Sequence, residues 1–189
     1  MSDSHLNPWR RESRRTSYSN PWIEVLHDEV TRPDGDPGIY GVVHFRNRAI
    51  GVLPLDVPAD RVLLVGQYRY TLDRYSWEIP EGGGSFDEEP QDAAKRELAE
   101  ETGYRGGTWR ELFKFDLSNS VTDEVGVLFL ATGLMAGVAN PEGTERLETQ
   151  WVGFEEAMAM IGREIFDAMT IMALQAVALE RAQSNRGRA

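Results

Sequence analysis

The order of apolar and polar positions divides the chain into many short extended runs, one helix in their midst and two helices at the end. Ile23 to Arg32 alternates at Ile23, Val25 and, less cleanly, Val30. Ile39 to Phe45 and Ala49 to Leu55 read as two strands across an Asn47-Arg48 turn. Between the first run and these lies a dense turn signal, Pro33-Asp34-Gly35-Asp36-Pro37-Gly38. Arg61 to Tyr70 is the most apolar run and predicts a central strand; Ser76 to Ile79 predicts a short one that feeds the loop Gly82-Gly83-Gly84. Three further strands are predicted at Thr108 to Phe115, Val125 to Ala131 and Leu147 to Val152. A polar loop at 116–123 and a glycine- and proline-bearing loop at 132–144 separate them.

The internal helix is predicted from Pro90, which suits a first helical position, to a stop at Gly103. Ala93, Ala94 and Leu98 form its apolar stripe. Phe154 to Ile161 and Ile165 to about Arg181 predict the last two helices. The second carries Ile165, Met169, Met172, Ala176 and Leu179 on one stripe, where methionine reads as core filling. Residues 1–19, polar around Trp9, read as an irregular arm. Strands, a helix, more strands and then helices make an α+β pattern, with helices on both sides of a mixed sheet.

Composition narrows the setting. With 189 residues, 41% of them hydrophobic, one domain with a real core is expected. No apolar run approaches the roughly 20 residues of a membrane span, and the N-terminus lacks the apolar core of a signal peptide. There are no cysteines, which excludes disulfides and thiolate metal sites. These features point to a cytoplasmic protein. The net charge of −11 is uneven: Arg10, Arg11, Arg14, Arg15, Arg181, Arg186 and Arg188 lie at the ends, and the middle holds 29 acids against 13 bases. Such a body repels nucleic acid in bulk. It also repels small anionic substrates unless a cation or local arginines intervene.

The internal helix sharpens that problem. Glu97, Glu100 and Glu101 stand at i, i+3 and i+4 in its last turn, on one side of the helix. That end already carries partial negative charge, so the three carboxylates cost about 1 kcal/mol or more by dipole and like-charge terms. A hard divalent cation such as Mg²⁺ would offset them and would bind substrate phosphates as well. A solvated acidic face is the plainer reading of such a run.

The stretch from Gly82 to Tyr104 resembles the Nudix box, the signature of the Nudix hydrolases. Gly82, Glu88, Arg96, Glu97, Leu98, Glu100, Glu101, Gly103 and Tyr104 meet its specified positions in order, Tyr104 standing where an aliphatic residue is usual. The resemblance implies a Nudix fold, a mixed sheet sandwiched between helices (α/β/α), over residues 47–182. An extra N-terminal β-segment at 20–46 would serve dimerisation, with the arm 1–19 before it and a tail at 183–189. It implies Mg²⁺, with Mn²⁺ substituting, held by Glu97 and Glu101, by Glu100, and by the carbonyl of Glu81. Glu88 and Arg96 would form the ion pair that fixes the loop onto the helix. Gln67-Tyr68-Arg69-Tyr70, Ser76-Trp77-Glu78-Ile79-Pro80-Glu81-Gly82 and Phe166-Asp167-Ala168-Met169-Thr170 resemble the branch that cleaves ADP-ribose and nucleoside-diphosphate sugars. Relatives specific for ADP-ribose usually have a proline in the loop after the box. Residues 117–124 have none, which favours a broader or different nucleotide sugar such as GDP-mannose.

The implied reaction is hydrolysis of the pyrophosphate bond to a nucleoside monophosphate and a sugar phosphate. Its catalytic set would be Glu100, Glu101 and a base on the long loop before the last strand. Glu142, Glu145 and Glu148 are the candidates there; Glu145 is favoured because Glu145-Arg146-Leu147-Glu148 resembles the family segment. Arg69 is the candidate phosphate contact. Trp22 and Tyr18 are candidates to stack on a nucleobase, with core or interface packing as the other reading of Trp22. Glu124 either lines the site or begins a strand, and His27 and His44 read as structural. A homodimer paired through the N-terminal strands is expected. Two other readings remain, a nucleotide-sugar sensor without turnover and a Nudix enzyme acting on another nucleoside diphosphate derivative. The intact box glutamates argue against the sensor, and the acidic body argues against capped RNA as substrate.

Overall fold

In the computed structural model, residues 6–139 and 147–187 are described. The strands are β1 (Arg10–Ser19), β2 (Ile23–Thr31), β3 (Pro37–Phe45), β4 (Asn47–Asp56), β5 (Arg61–Arg69), β6 (Arg74–Glu78), β7 (Glu81–Ser85), β8 (Thr108–Asp116), β9 (Val125–Thr132) and β10 (Glu148–Gly153). The helices are α1 (Pro90–Thr102), α2 (Phe154–Met160) and α3 (Ala168–Arg186). They form two compact units, one of residues up to Arg48 with 116–125 and one of 49–115 with the residues from Gly126 onward.

The first unit is an antiparallel sheet in the order β1-β2-β3. Its outer strand corrects the irregular arm expected for residues 1–19. Alternation is absent from Arg10–Ser19, and every one of its ten residues is exposed, so the hydropathy pattern carries no strand signal. Backbone pairing with β2, helped by Arg14 donating to both oxygens of the buried Asp28 at 2.6 and 2.7 Å, holds it. The polar loop 116–123 lies along β3: Val43 N–H donates to Val121 O at 2.9 Å, and Asp123 meets His44 at 2.6 Å. His27 meets Glu29 at 3.1 Å.

The second unit is built on a mixed sheet in the order β10-β5-β4-β9-β8, with β6 pairing β5 and β7 pairing β4. β4 runs parallel to β9 and antiparallel to β5. Because successive strand residues point to opposite faces, β4 feeds two cores. Leu53 and Leu55 join Phe154, Ile165, Met169, Ala173 and Leu174 on the α2 and α3 side. Ile50 and Val52 join Ala93, Ala94 and Leu98 on the α1 side. A strand buried on both faces reads as a continuous apolar run, as Ala49 to Leu55 does.

Three more expectations are corrected. Asn47-Arg48 is no hairpin turn, since β3 and β4 lie in different sheets. Gly82 to Ser85 is not a loop but strand β7, because pairing with β4 supplies the order that glycine lacks. The last helix begins at Ala168, not Ile165; Ile165 is fully buried in the turn before it. The face α3 buries is Met169, Thr170, Ala173, Leu174 and Val177, while Leu179 is exposed. The stripe was misphased because Ala and Thr contribute little to a hydropathy pattern yet fill narrow helix–sheet gaps.

Candidate active site

The 13-residue helix α1 presents the box. Pro90 occupies its first turn, and Gly103 ends it at φ 76°, donating to Ala99 O at 3.0 Å. A side chain at Gly103 would be strained at that φ and would strike Ala139 N at 2.6 Å. The helix stop is therefore also the place where residues 137–139 cross the end of α1.

Gly82 does a comparable job at the other end of the site. A Cβ there would lie 2.3 Å from Glu97 Cδ, so the absent side chain is the room the Glu97 carboxylate occupies. Gly82→Ala should displace that carboxylate and lower turnover about 10²-fold, the scale expected of an ångström-level misplacement. A steady-state rate within twofold of wild type would refute this reading. Close by, Glu81 N–H donates to Glu101 Oε2 at 3.2 Å, and Glu101 is only 5% exposed.

Arg96 is the cation of the acidic turn. Its Nη1 donates to Glu97 Oε1 at 2.8 Å and to Glu100 Oε2 at 3.2 Å, and its Nη2 donates to Gly83 O at 3.0 Å and Glu88 Oε2 at 3.2 Å. Burial opposes the charge, but the bonds to Glu88 and Glu97 outweigh it and raise the guanidinium pKa. One side chain thus ties the helix to β7 and lowers the repulsion between Glu97 and Glu100.

Behind the box lies a second cluster. Arg69 donates through Nε to Glu78 Oε2 at 2.8 Å and through Nη2 to both Glu78 and Glu81. It is therefore engaged by two carboxylates at the position where a phosphate contact was expected. The Glu78 side chain is 3% exposed and that of Glu81 10%. Burial pushes the Glu81 carboxyl well above the usual range, Asp167 adds to the rise, and Arg69 opposes it. Asp167 accepts from Thr170 N–H at 2.6 Å and Thr170 Oγ1 at 2.8 Å. Glu81 Oε2 is buried and has no hydrogen-bond partner among the described residues. An orphaned carboxylate oxygen beside Glu78, Glu101 and Asp167, with one guanidinium among them, fits a hard oxygen-seeking cation. The side chains as placed make no cluster of three ready ligands among the described residues; Glu97 and Glu100 turn toward Arg96 instead.

The other candidates are dispersed. Glu142 and Glu145 lie outside the described residues. Glu148 begins β10, opposite Gly66. Trp22, 68% exposed, and Tyr18, also exposed, belong to the first unit, as does half-buried Glu124, whose carboxyl burial raises. Along the outer side of α1 runs a groove of about 760 Å³ bordered by Lys95, Arg96, Glu100, Arg105 and Trp109, a size that suits a small ligand.

Sequence reasoning gave no role to Glu78, Asp167 or Thr170. A signal was present, since the segments 76–82 and 166–170 both carry the branch resemblance. The structure shows that these two segments meet: Ile79 N–H donates to Thr170 Oγ1 at 2.9 Å.

Comparison with known proteins agrees with this geometry. The model of the NUDIX domain matches residues 45–171, and that of the nucleoside diphosphate sugar hydrolase N-terminal domain matches residues 9–43. A CMP-5'-(N-acetyl-N-hydroxy-3-aminopropyl)phosphonate hydrolase from Streptomyces rubellomurinus is 28% identical over 95% of this chain and 87% of its own length. An ADP-ribose pyrophosphatase from Bacillus subtilis is 32% identical over 87% of this chain and 90% of its own. A crystal structure of an ADP compounds hydrolase superposes with a TM-score of 0.83 at 19% identity, covering 97% of this chain and 98% of that one, and so shares the fold. The box on α1, the helices on both faces of the mixed sheet and the match over 45–171 together place the chain in the Nudix hydrolase family.

Proposed function

We propose that the protein hydrolyses the pyrophosphate bond of nucleoside diphosphate sugars, releasing a nucleoside monophosphate and a sugar phosphate. The observation that carries this reading is the convergence of Glu97, Glu101 and Glu81 around Gly82, with a buried carboxylate oxygen left without a partner. The match of the N-terminal segment to a nucleoside diphosphate sugar hydrolase domain supports the substrate class, as do the relatives that cleave ADP-ribose.

Glu97, Glu100, Glu101 and the Glu81 carbonyl would hold Mg²⁺, for which Mn²⁺ substitutes. The cation would neutralise the pyrophosphate and activate water, which lets an acidic site take an anionic substrate. The chain's own residues orient the reaction: Arg96, paired with Glu88, fixes β7 against α1, Gly82 leaves room for Glu97, and Glu145 is the proposed base. Arg69 sets the charge behind the site and remains the proposed phosphate contact; Trp22, Tyr18 and Glu124 are the proposed substrate contacts of the first unit. The supports for a homodimer through the N-terminal strands are the exposed strand β1, whose outer edge pairs with nothing among the described residues, and the liability such an edge represents. No helix among the described residues is long and apolar enough to cross a membrane; with the absence of cysteine this supports a cytoplasmic setting.

The test is a panel of ADP-ribose, GDP-mannose, a UDP-sugar, a CMP-linked phosphonate and capped RNA, each with Mg²⁺, read by release of nucleoside monophosphate. The expected outcome is Mg²⁺-dependent cleavage of one or more diphosphate sugars. Tight binding of a nucleotide sugar with no turnover would favour the sensor, and cleavage of the phosphonate alone would move the substrate class toward that of the Streptomyces relative.

A further inference from the structure

The backbone just upstream of the box is held at three points by three different elements. Val52 N–H of β4 donates to Pro80 O at 2.9 Å, and Glu81 N–H donates to the Glu101 carboxylate on α1 at 3.2 Å. Ile79 N–H donates to Thr170 Oγ1 of α3 at 2.9 Å, across a separation of 91 residues. The third contact differs in kind. The amide just past the end of β6 here ends on a side chain rather than on a neighbouring strand, and that side chain is fully buried. The hydroxyl also donates onward to Asp167 Oδ2 at 2.8 Å, the same oxygen that accepts Thr170 N–H at 2.6 Å and caps the first turn of α3. It accepts from one element and donates to another, a dual use that a hydroxyl permits and a methyl does not.

The residues between these anchors make the contact consequential for the site. Pro80 has no N–H and a φ fixed near −65°. Ile79 therefore carries the last amide that can anchor the chain before Glu81. A shift at Ile79 passes through the stiff proline to Glu81, whose own N–H is bound to Glu101. Thr170 shares the buried face of α3 with Met169, Ala173 and Leu174, a setting that valine, of the same β-branched shape, would also suit. The hydroxyl is the part that packing does not explain.

We infer that Thr170 is a positioning residue for the divalent cation: its hydroxyl fixes the Ile79–Glu81 backbone, and through it the placement of Glu81 against Glu101. The inference rests on the metal-dependent reading above. Without the hydroxyl, Ile79 N–H is left buried and unpaired, and the segment moves to find another partner. Outer-shell groups of this kind typically hold metal affinity by roughly 10–100-fold.

The experiment measures direct Mn²⁺ binding to the purified full chain by electron paramagnetic resonance of the free ion, with no substrate present, alongside the thermal midpoint. Thr170→Val should weaken Mn²⁺ binding roughly tenfold, and Thr170→Ser, which keeps the hydroxyl, should restore it to within about threefold of wild type. Should Thr170→Val fail to fold, the comparison is made between Thr170→Ala and Thr170→Ser. Wild-type affinity in the variants lacking the hydroxyl, with only a lower midpoint, overturns the inference and leaves the metal-dependent reading intact. Absence of Mn²⁺ binding by the wild type overturns both.

Discussion

Glu101→Gln is expected to reduce Mg²⁺-dependent turnover by at least about 10²-fold, because loss of groups merely adjacent to a metal ligand already costs roughly 10–100-fold. The substitution is nearly isosteric and retains an oxygen to accept the Glu81 N–H, so the thermal midpoint should stay close to wild type. The loss is then one of charge rather than of fold. Glu101 is the member of the acidic turn with the least solvent, at 5% exposure, and its oxygen already lies 3.2 Å from the Glu81 amide. Glu97→Gln should behave similarly, with some additional change because Glu97 also receives Arg96. The check is kcat/KM across a Mg²⁺ titration for both variants. Undiminished turnover in both would remove these carboxylates from the metal site.

Arg69→Met is expected to destabilise the metal-free protein by roughly 1–3 kcal/mol, less than for a fully buried pair because the two carboxylates are covered but the Arg69 side chain is 34% exposed. Glu78 and Glu81 lose their shared guanidinium while staying covered. The pH dependence follows from the direction of the Glu81 shift. Burial raises its folded pKa above the unfolded value, so the protonated carboxyl favours the fold. That contribution is full below the unfolded pKa of about 4.3 and is lost as pH rises through the folded value. Arg69 currently opposes the rise, so without it the loss should extend further, and the variant should suffer more at pH 8 than at pH 5. Urea midpoints at the two pH values measure this directly. Added Mg²⁺ should recover part of the loss at pH 8, since a ligand of the native state stabilises it by mass action. An equal and small loss at both pH values would show that Glu78 and Glu81 do not depend on Arg69.

Both predictions concern carboxylates that share too little positive charge, and the chain treats the two groups differently. Around α1 the surplus is managed by Arg96, which contacts Glu88, Glu97, Glu100 and Gly83 O at once. Behind β7 it is managed by Arg69 with Glu78 and Glu81, while Asp167 spends its oxygen on capping α3. The sequence suggested a division of labour in which Arg96 held the loop and the glutamates held metal. The structure gives Arg96 both the loop and two of the glutamates.

Much of this was legible in the order of residues, for a physical reason in each case. Helix α1 could be bounded because Pro90 and Gly103 act locally, through a fixed φ and a positive φ. β4 showed as an apolar extended run, although its burial on both faces did not, and the box showed because its chemistry needs carboxylates at helical spacing. The start of α3, its true buried face and the strand nature of residues 10–19 were not legible. Ala and Thr carry weak hydropathy signals, and the uniformly polar, exposed β1 offers no alternation, so the state of these segments depends on what they meet.

The sequence by itself determined the acidic turn, its helix, its glycine approach and the family to which they belong. These are properties of residues within one or two turns of each other, where spacing along the chain is spacing in space. Only the tertiary structure decided that Gly82 makes room for Glu97, that Arg69 is bound by Glu78 and Glu81, and that Thr170 holds Ile79. Those contacts join segments up to 91 residues apart, and their partners are set by how sheet and helices close around a common core, which no local pattern encodes.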